Sequence, residues 1–495
     1  MGFLRLLTPR LDRLAETAVE RTYMAGLDCV PMPCRKTWER EGVLRLERDT
    51  RESGNVHLPW LADGHGELLL STATLMEREK PYDLAVEVAR GTVNRLRSKA
   101  EIWRLAGLRL SDGVSSQIRA ACQSFIQAAT SQQDRNVAEA AARTAVRQAL
   151  DAMGLLGLEY ARQALEYRHE GGHPLPTLLA GNVGGEAMPA NTEPMFRATF
   201  NAALIPLRWD EIQREPDRWD WGRYDKQVQW CVRNGLKIIG GPLVRVSRDS
   251  LPSWLAASAS ADPAALAKAA RRFVETAVDR YRGQVHLWYG VATSASGSWL
   301  SDDQQLRLTV TLIEATRRRD PRTPVFLSVQ QPWGEAMAFE QAALSPLQFV
   351  DFLLRADLEI AGIGLEIDYG YWPGGTLPRD VLEMTEHIDL WAMLGLPLIP
   401  MLTVPSSADP DPLATDDSRI LQSAFPDGPS PQNQKRLLDH LLPALLAKQS
   451  VQAIICNQVF DSVRHRHVHG GLFTGEALPK PALNTLLALR REHLT

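Results

Sequence analysis

The sequence predicts an α/β chain, a (β/α)8 TIM barrel preceded by a smaller α+β N-terminal domain. Three observations carry that prediction. From residue 177 to the end, eight short apolar stretches alternate with amphipathic helical stretches, the count a (β/α)8 barrel requires. Before residue 170 the pattern differs: short β-like runs punctuated by glycine, then long Ala/Leu/Arg/Glu-rich helical runs. And 495 residues are too many for one compact core, which makes two domains the default.

Residues 1–20 read as a short amphipathic helix. From Arg21 to about Met76 the pattern is β-like, in Val43-Leu-Arg-Leu-Glu-Arg, Val56-His-Leu-Pro-Trp and Glu67-Leu-Leu-Leu-Ser-Thr-Ala-Thr-Leu, with Gly26, Gly54, Gly64 and Gly66 as hairpin breaks. Tyr82–Leu105, Ser111–Thr130 and Asp134–Tyr167 carry helical spacing, separated at Ser111-Asp-Gly and Ser131. These define an N-terminal domain over residues 1–170, a small sheet followed by about three helices. Glu170-Gly-Gly-His-Pro-Leu-Pro176 reads as the linker.

The barrel is assigned to residues 177–495. Its expected strands are Leu178–Asn182, Phe200–Leu207, Leu236–Leu243, Val285–Val291, Pro324–Val329, Glu359–Tyr369, Pro397–Val404 and Val451–Val459. Expected helices include Pro263–Tyr281, Ser301–Arg319, Pro378–Leu394, Pro431–Lys448 and Lys480–Arg491. In such a fold the site lies at the C-terminal ends of the strands.

Composition narrows the function. Hydrophobic content of 44% and charged content of 23% are those of an ordinary globular protein. A net charge of −4 with interspersed Lys and Arg leaves no basic footprint for nucleic acid. No run approaches the ~20 apolar residues of a membrane helix, and the start before Pro9-Arg10 is too short for a secretory leader. Five scattered cysteines (Cys29, Cys34, Cys122, Cys231, Cys456) suit reduced thiols, so a cytoplasmic location is expected. Cys29 and Cys34 read as small core residues, and no metal or cofactor is expected.

One stretch stands out, Ile363-Gly-Leu-Glu-Ile-Asp-Tyr-Gly-Tyr-Trp-Pro-Gly-Gly375. As a strand it places Ile363, Leu365 and Ile367 on one face and Gly364, Glu366 and Asp368 on the other. Two adjacent carboxylates repel and are costly to bury unless paired or used. They either meet arginines or serve a ligand at the strand end.

Several segments resemble family-10 glycoside hydrolases, whose best-known members are endo-1,4-β-xylanases. They are Phe200-Asn201, Arg208-Trp209-Asp-Glu-Ile, Arg218-Trp-Asp-Trp221, Asn234-Gly-Leu-Lys-Ile-Ile-Gly240, Leu251-Pro-Ser-Trp254 and Asp279-Arg-Tyr-Arg-Gly-Gln-Val-His-Leu-Trp288. Ile363–Asp368, Leu394-Gly-Leu-Pro397, Gly470-Gly-Leu-Phe473 and Pro479-Lys-Pro-Ala482 continue the series in order. The resemblance implies the barrel, a carbohydrate as partner and, for retaining members, two catalytic carboxylates about 5–5.5 Å apart. The chain departs from it at both catalytic positions. The Asn-Glu expected after strand four is Ala292-Thr293, and the strand-seven strip is Pro400-Met-Leu-Thr-Val-Pro405, without a carboxylate.

Glu366 and Asp368 stand where the family has Gln and His, so they become the candidate catalytic pair, with Glu335 or Asp461 as alternative partners of Glu366. Expected substrate-binding residues are Asn182, Gln331, Asn457 and Asp461 at strand ends, with Trp209, Trp333 and Trp372 as stacking platforms. Arg464-His-Arg-His-Val-His469 reads as a solvated basic loop rather than a metal site. Two functions remain open. One is a divergent hydrolase of a β-linked glycan with a relocated carboxylate centre. The other is a pseudoenzyme that only binds a glycan or a protein. Oligomeric state is not encoded in any motif.

Overall fold

The computed structural model describes residues 2–8, 16–26, 29–40, 42–186, 188–256, 259, 262–293, 299–339 and 344–494. Residues 177–494 form a closed barrel of eight parallel strands with flanking helices. Barrel strand 1 is Leu178–Asn182, strand 2 Ala202–Ile205, strand 3 Lys237–Gly240, strand 4 Leu287–Thr293, strand 5 Val325–Gln330, strand 6 Gly362–Asp368, strand 7 Leu398–Thr403 and strand 8 Ala453–Cys456. Strand 8 pairs with strand 1, and Ile239 opposite Leu287 closes the ring between strands 3 and 4. A short extra strand, Val244–Arg245, runs beside the end of strand 4. It follows Gly241, whose φ of +127° and 2.1 Å Cβ-to-Tyr289 carbonyl approach admit only glycine.

Alternation on strand 6 is as the sequence implies. Ile363, Leu365 and Ile367 join the main hydrophobic core, each about 1% exposed or less and each contributing roughly 1.5–3 kcal/mol by burial. Gly364 faces the barrel interior, where a Cβ would lie 2.8 Å from the Ser328 Cβ and 3.0 Å from the Met401 sulfur. Glu366 and Asp368 follow it on the inner face, toward the C-terminal end.

The N-terminal region departs from expectation at its start. Gly2–Leu7 is a strand, not part of a helix, because Leu4 and Leu6 alternate into a core while pairing antiparallel with Val43–Arg48. A short helix, Glu16–Glu20, follows, and residues 9–15 of the expected helix lie outside the described residues. Two four-stranded sheets replace the single one expected. One orders Arg35–Arg40, Val43–Arg48, Gly2–Leu7 and Tyr82–Asp83; the other orders Pro31–Met32, Tyr23–Ala25, Asn55–Ala62 and Gly66–Ser71. Helices Leu84–Leu105, Asp112–Thr130 and Arg135–Arg168 begin where Asp83, Ser111 and Asp134 cap free backbone N–H groups. Cys29 is exposed and is not the core residue anticipated, whereas Cys34 is half-buried and packs against the N-terminal core; the short strand Pro31–Met32 lies between them.

The second sheet packs against barrel loops. The Leu69 amide donates to the Pro378 carbonyl at 2.6 Å, and Pro31 lies 3.4 Å from where a Gly334 Cβ would stand. Arg95 of the first long helix pairs with Asp380 and Glu383, and Arg379 pairs with Glu335 while donating to the Tyr23 hydroxyl at 3.0 Å. Among the described residues no helix is long and apolar enough to cross a membrane.

Candidate functional site

A cavity of about 710 Å3 opens at the C-terminal ends of the strands. Loops after strands 1, 2, 3 and 8 supply most of its lining, including Asn182, Trp209, Arg245, Asn457, Arg466 and His467. Strands 4, 5 and 6 and the loop after strand 6 contribute only Thr293, Gln330 and Gly374.

Glu366 and Asp368 lie behind this lining, each 1% exposed. The short strand Val244–Arg245 aims the Arg245 guanidinium at Glu366, with which it makes two bonds of 3.1 and 3.2 Å. Arg466, from the loop after strand 8, adds a third at 3.1 Å. The Ser328 hydroxyl donates at 2.6 Å and the Tyr289 hydroxyl at 2.8 Å. Burial pushes the Glu366 carboxyl up, but Arg245, Arg466 and the hydroxyl bond from Ser328 outweigh it and hold the group at about 2. Both oxygens are therefore ionised and occupied. Burial pushes the Tyr289 hydroxyl well above its ordinary value, and the Glu366 charge raises it further, so Tyr289 stays a donor.

Asp368 has a different environment. His467 Nε2 lies 3.1 Å from its Oδ2 and Arg466 Nη1 lies 3.8 Å away. Burial raises its carboxyl, yet His467 and Arg466 bring it below the usual range. Neither oxygen has a well-formed hydrogen bond, and both His467 ring nitrogens and the Thr403 hydroxyl share that condition. Arg466 Nε also meets Asp416 at 3.2 Å.

The remaining expected residues divide. Asn182 and Asn457 line the cavity, and the Asn182 amide donates to the Asn457 carbonyl at 2.9 Å. Trp209 also lines it, but is 3% exposed, stacked on Phe273, with its indole N–H on Gln213. Gln331 is buried and donates to the carbonyls of Pro373 and Gly375. Trp333 stacks on His387, and Trp372 meets Phe339 edge-on. Asp461 pairs with Lys480 and accepts from the Gly471 amide at 2.7 Å. Glu335 is fully buried against Arg379 and the Leu377 amide. None of these last five lines the cavity.

The histidine loop is not solvated as expected. The His465 side chain is 4% exposed and contacts Asp411 at 2.9 Å, and His467 is 1% exposed. Alternation along Arg464–His469 sends His465 and His467 inward toward acids that the sequence holds more than 50 residues away. Among the described residues no cluster of His, Cys, Asp or Glu could hold a metal ion. Sequence reasoning missed Arg245, Tyr289, Ser328, Arg466 and His467. Arg245, just beyond a Gly-Gly-Pro turn at a strand end, and His467, in the alternating Arg464–His469 run, carried local signals; Tyr289 and Ser328 carried none.

Comparison with known proteins places part of this barrel. Residues 187–295, spanning strands 2 to 4, match the glycosyl hydrolase family 10 model. Endo-1,4-beta-xylanase 3 of Hypocrea jecorina is 30% identical over 82 residues, which is 17% of this chain and 22% of that protein. A beta-1,4-xylanase of Dictyoglomus thermophilum is 28% identical over 99 residues, 19% of this chain and 26% of that protein. The match thus spans about a quarter or less of each curated relative. Among solved structures, a Thermobacillus composti GH10 xylanase is 18% identical, covering 63% of this chain and 96% of its own, with a TM-score of 0.46. Xylanase 10B from Thermotoga petrophila, solved in complex with xylobiose, is 15% identical, covering 68% and 96%, with a TM-score of 0.46. Over residues 187–295 the barrel is similar in sequence to glycosyl hydrolase family 10.

Proposed function

We propose that this barrel binds a β-linked glycan at its C-terminal mouth and does not cleave it with Glu366. The occupancy of Glu366 carries the reading. A nucleophile or a general acid must offer a free oxygen or a proton, and this carboxylate, held near 2, accepts from Arg245, Arg466, Ser328 and Tyr289. The strand-four position holds Ala292 and Thr293, whose hydroxyl is spent on the Ser328 carbonyl at 2.9 Å. On strand 7 the inward residues Met401 and Thr403 cannot attack an anomeric carbon. The glycan reading itself draws on the family-10 match over residues 187–295 and on xylanases among the relatives. Asn182, Asn457 and the arginines of the cavity suit hydroxyl recognition.

A second reading has one observation in its favour. His467 lines the cavity with Asp368 buried behind it at 3.1 Å, neither in a well-formed hydrogen bond, an arrangement suited to proton transfer in a relocated hydrolytic site.

Calorimetric titration and product analysis with xylo- and gluco-oligosaccharides separate the two. The binding reading expects heat of binding, no released sugar after long incubation, and affinity roughly 5- to 10-fold weaker in Asn457→Ala through loss of about one hydrogen bond. Turnover by the wild type that vanishes in Asp368→Asn would transfer the assignment to the second reading. Neither binding nor turnover by folded protein sinks both.

A further inference from the structure

The loops after strands 5 and 6 would ordinarily help to build a mouth open across the barrel. Here they are drawn into the N-terminal domain. Tyr23 packs edge-on against Phe339, which meets Trp372 with ring centres 5.0 Å apart. Pro31 stands where it would meet a Cβ on Gly334 at 3.4 Å, and the Leu69 amide bonds the Pro378 carbonyl. Tyr371–Trp372 pairs with Arg419–Ile420, and the Gly374 amide is tied to the Ser418 hydroxyl at 3.2 Å. Beyond that, the hairpin at Gly66 abuts Phe425 and Ser423. On this side Gln330 and Gly374 are the described residues of strands 5 and 6 and their loops that reach the cavity, and those loops are braced from behind by the N-terminal region. Its volume, about 710 Å3, lies within the range of small-ligand sites, ~300–1,000 Å3.

Charge adds a second constraint. Arg208 is paired with Asp210 at 2.7 Å, Arg245 with Glu366, and Arg466 with Glu366 and Asp416. A carboxylated sugar reaching Arg245 or Arg466 would meet the repulsion of the acids already paired with them, Glu366 and Asp416. At the rim, exposed Arg464 shares the lining with two acids, Asp249 and Asp417. Among the described residues, the half-buried cationic groups of the cavity, Arg208, Arg245 and Arg466, are each paired with an acid.

Resting on the glycan reading above, we infer that the cavity takes the uncharged end of a short glycan chain, and that the N-terminal domain is what closes the mouth on the side of strands 5 to 7. The ligand is then a terminal unit of two or three neutral sugars rather than an internal stretch of a polymer.

The full chain titrated with linear xylo-oligosaccharides from dimer to hexamer tests this, alongside a trimer bearing one glucuronate substituent and the matching cello-oligosaccharides. The expected result is a gain in affinity from dimer to trimer, less than a twofold change from trimer to hexamer, and at least fivefold weaker binding of the acidic trimer. Affinity that climbs steadily to the hexamer would overturn the closed end. An acidic trimer that binds as well as or better than the neutral one would overturn the charge selection. If no oligosaccharide binds to folded protein, the glycan reading itself fails, and that outcome is distinct from the other two.

Discussion

Glu366 shows how a residue's role depends on its neighbours. A carboxylate at a barrel-strand end looks catalytic in a sequence, and here it is the anion that neutralises Arg245 and Arg466. Removing one partner of such a buried cluster typically costs about 3–5 kcal/mol because the other charges are left uncompensated. Glu366→Gln is therefore expected to lower stability by about that much at neutral pH, measured by denaturant unfolding. The pH dependence has a definite sign. The folded-state value, about 2, lies below the ordinary carboxyl value, so the stabilisation is present above about pH 4.5 and is lost as pH falls toward 2. The stability gap between wild type and Glu366→Gln should narrow across that window. A gap unchanged from pH 7 to pH 3 would contradict the assignment of Glu366 as a buried anion. Asp368 follows the same direction, its carboxyl also being held down.

At the scale of elements, positions along strands and helices were legible wherever a periodic pattern met a capping residue. Leu178–Asn182 and Pro263–Tyr281 have the bounds their sequences imply, and Ser301 closes a capping box with Gln304 at the start of the next helix. Gly2–Leu7 was misjudged because six residues of alternating burial are too short to separate period 2 from period 3.6. Val244–Arg245 escaped notice because a two-residue strand has no period at all, although it aims one of the two arginines of the site. Glycine in strand 6 has a packing reason. Gly364→Ala would press a methyl against Ser328, Met401 and Phe326, beneath the Glu366 layer. Overpacking of that kind costs about 1–3 kcal/mol. The expected outcome is a lower melting temperature together with weakened glycan binding, since Ser328 must shift from Glu366. A variant as stable as wild type would show that the inner layer has slack.

At the scale of the whole molecule, the two regions are joined by charge as well as by apolar contact. Arg95 reaches Asp380 and Glu383, and Arg379 lies 1% exposed between Glu335, Glu383 and Tyr23. Arg95→Ala leaves both acids without that partner and should destabilise the interface by about 3–5 kcal/mol. Calorimetry is expected to show one unfolding transition for the wild type and two for Arg95→Ala. One transition at an unchanged temperature would mean that the apolar contacts alone couple the domains.

Taken alone, the sequence determined the barrel, the order of its strands, the inward phase of Glu366 and Asp368, and the absence of carboxylates at Ala292-Thr293 and along Pro400–Pro405. Each of these follows from local periodicity or from residue identity at one place in the chain. The tertiary structure decided what the acids face, because Arg245, Tyr289, Ser328 and Arg466 come from four other segments up to 121 residues away. It also decided that Trp333 and Trp372 turn toward His387 and Phe339 rather than into the cavity. No local pattern carries such pairings, since ion pairs and ring contacts across a barrel depend on register and on loop paths that only the closed fold defines.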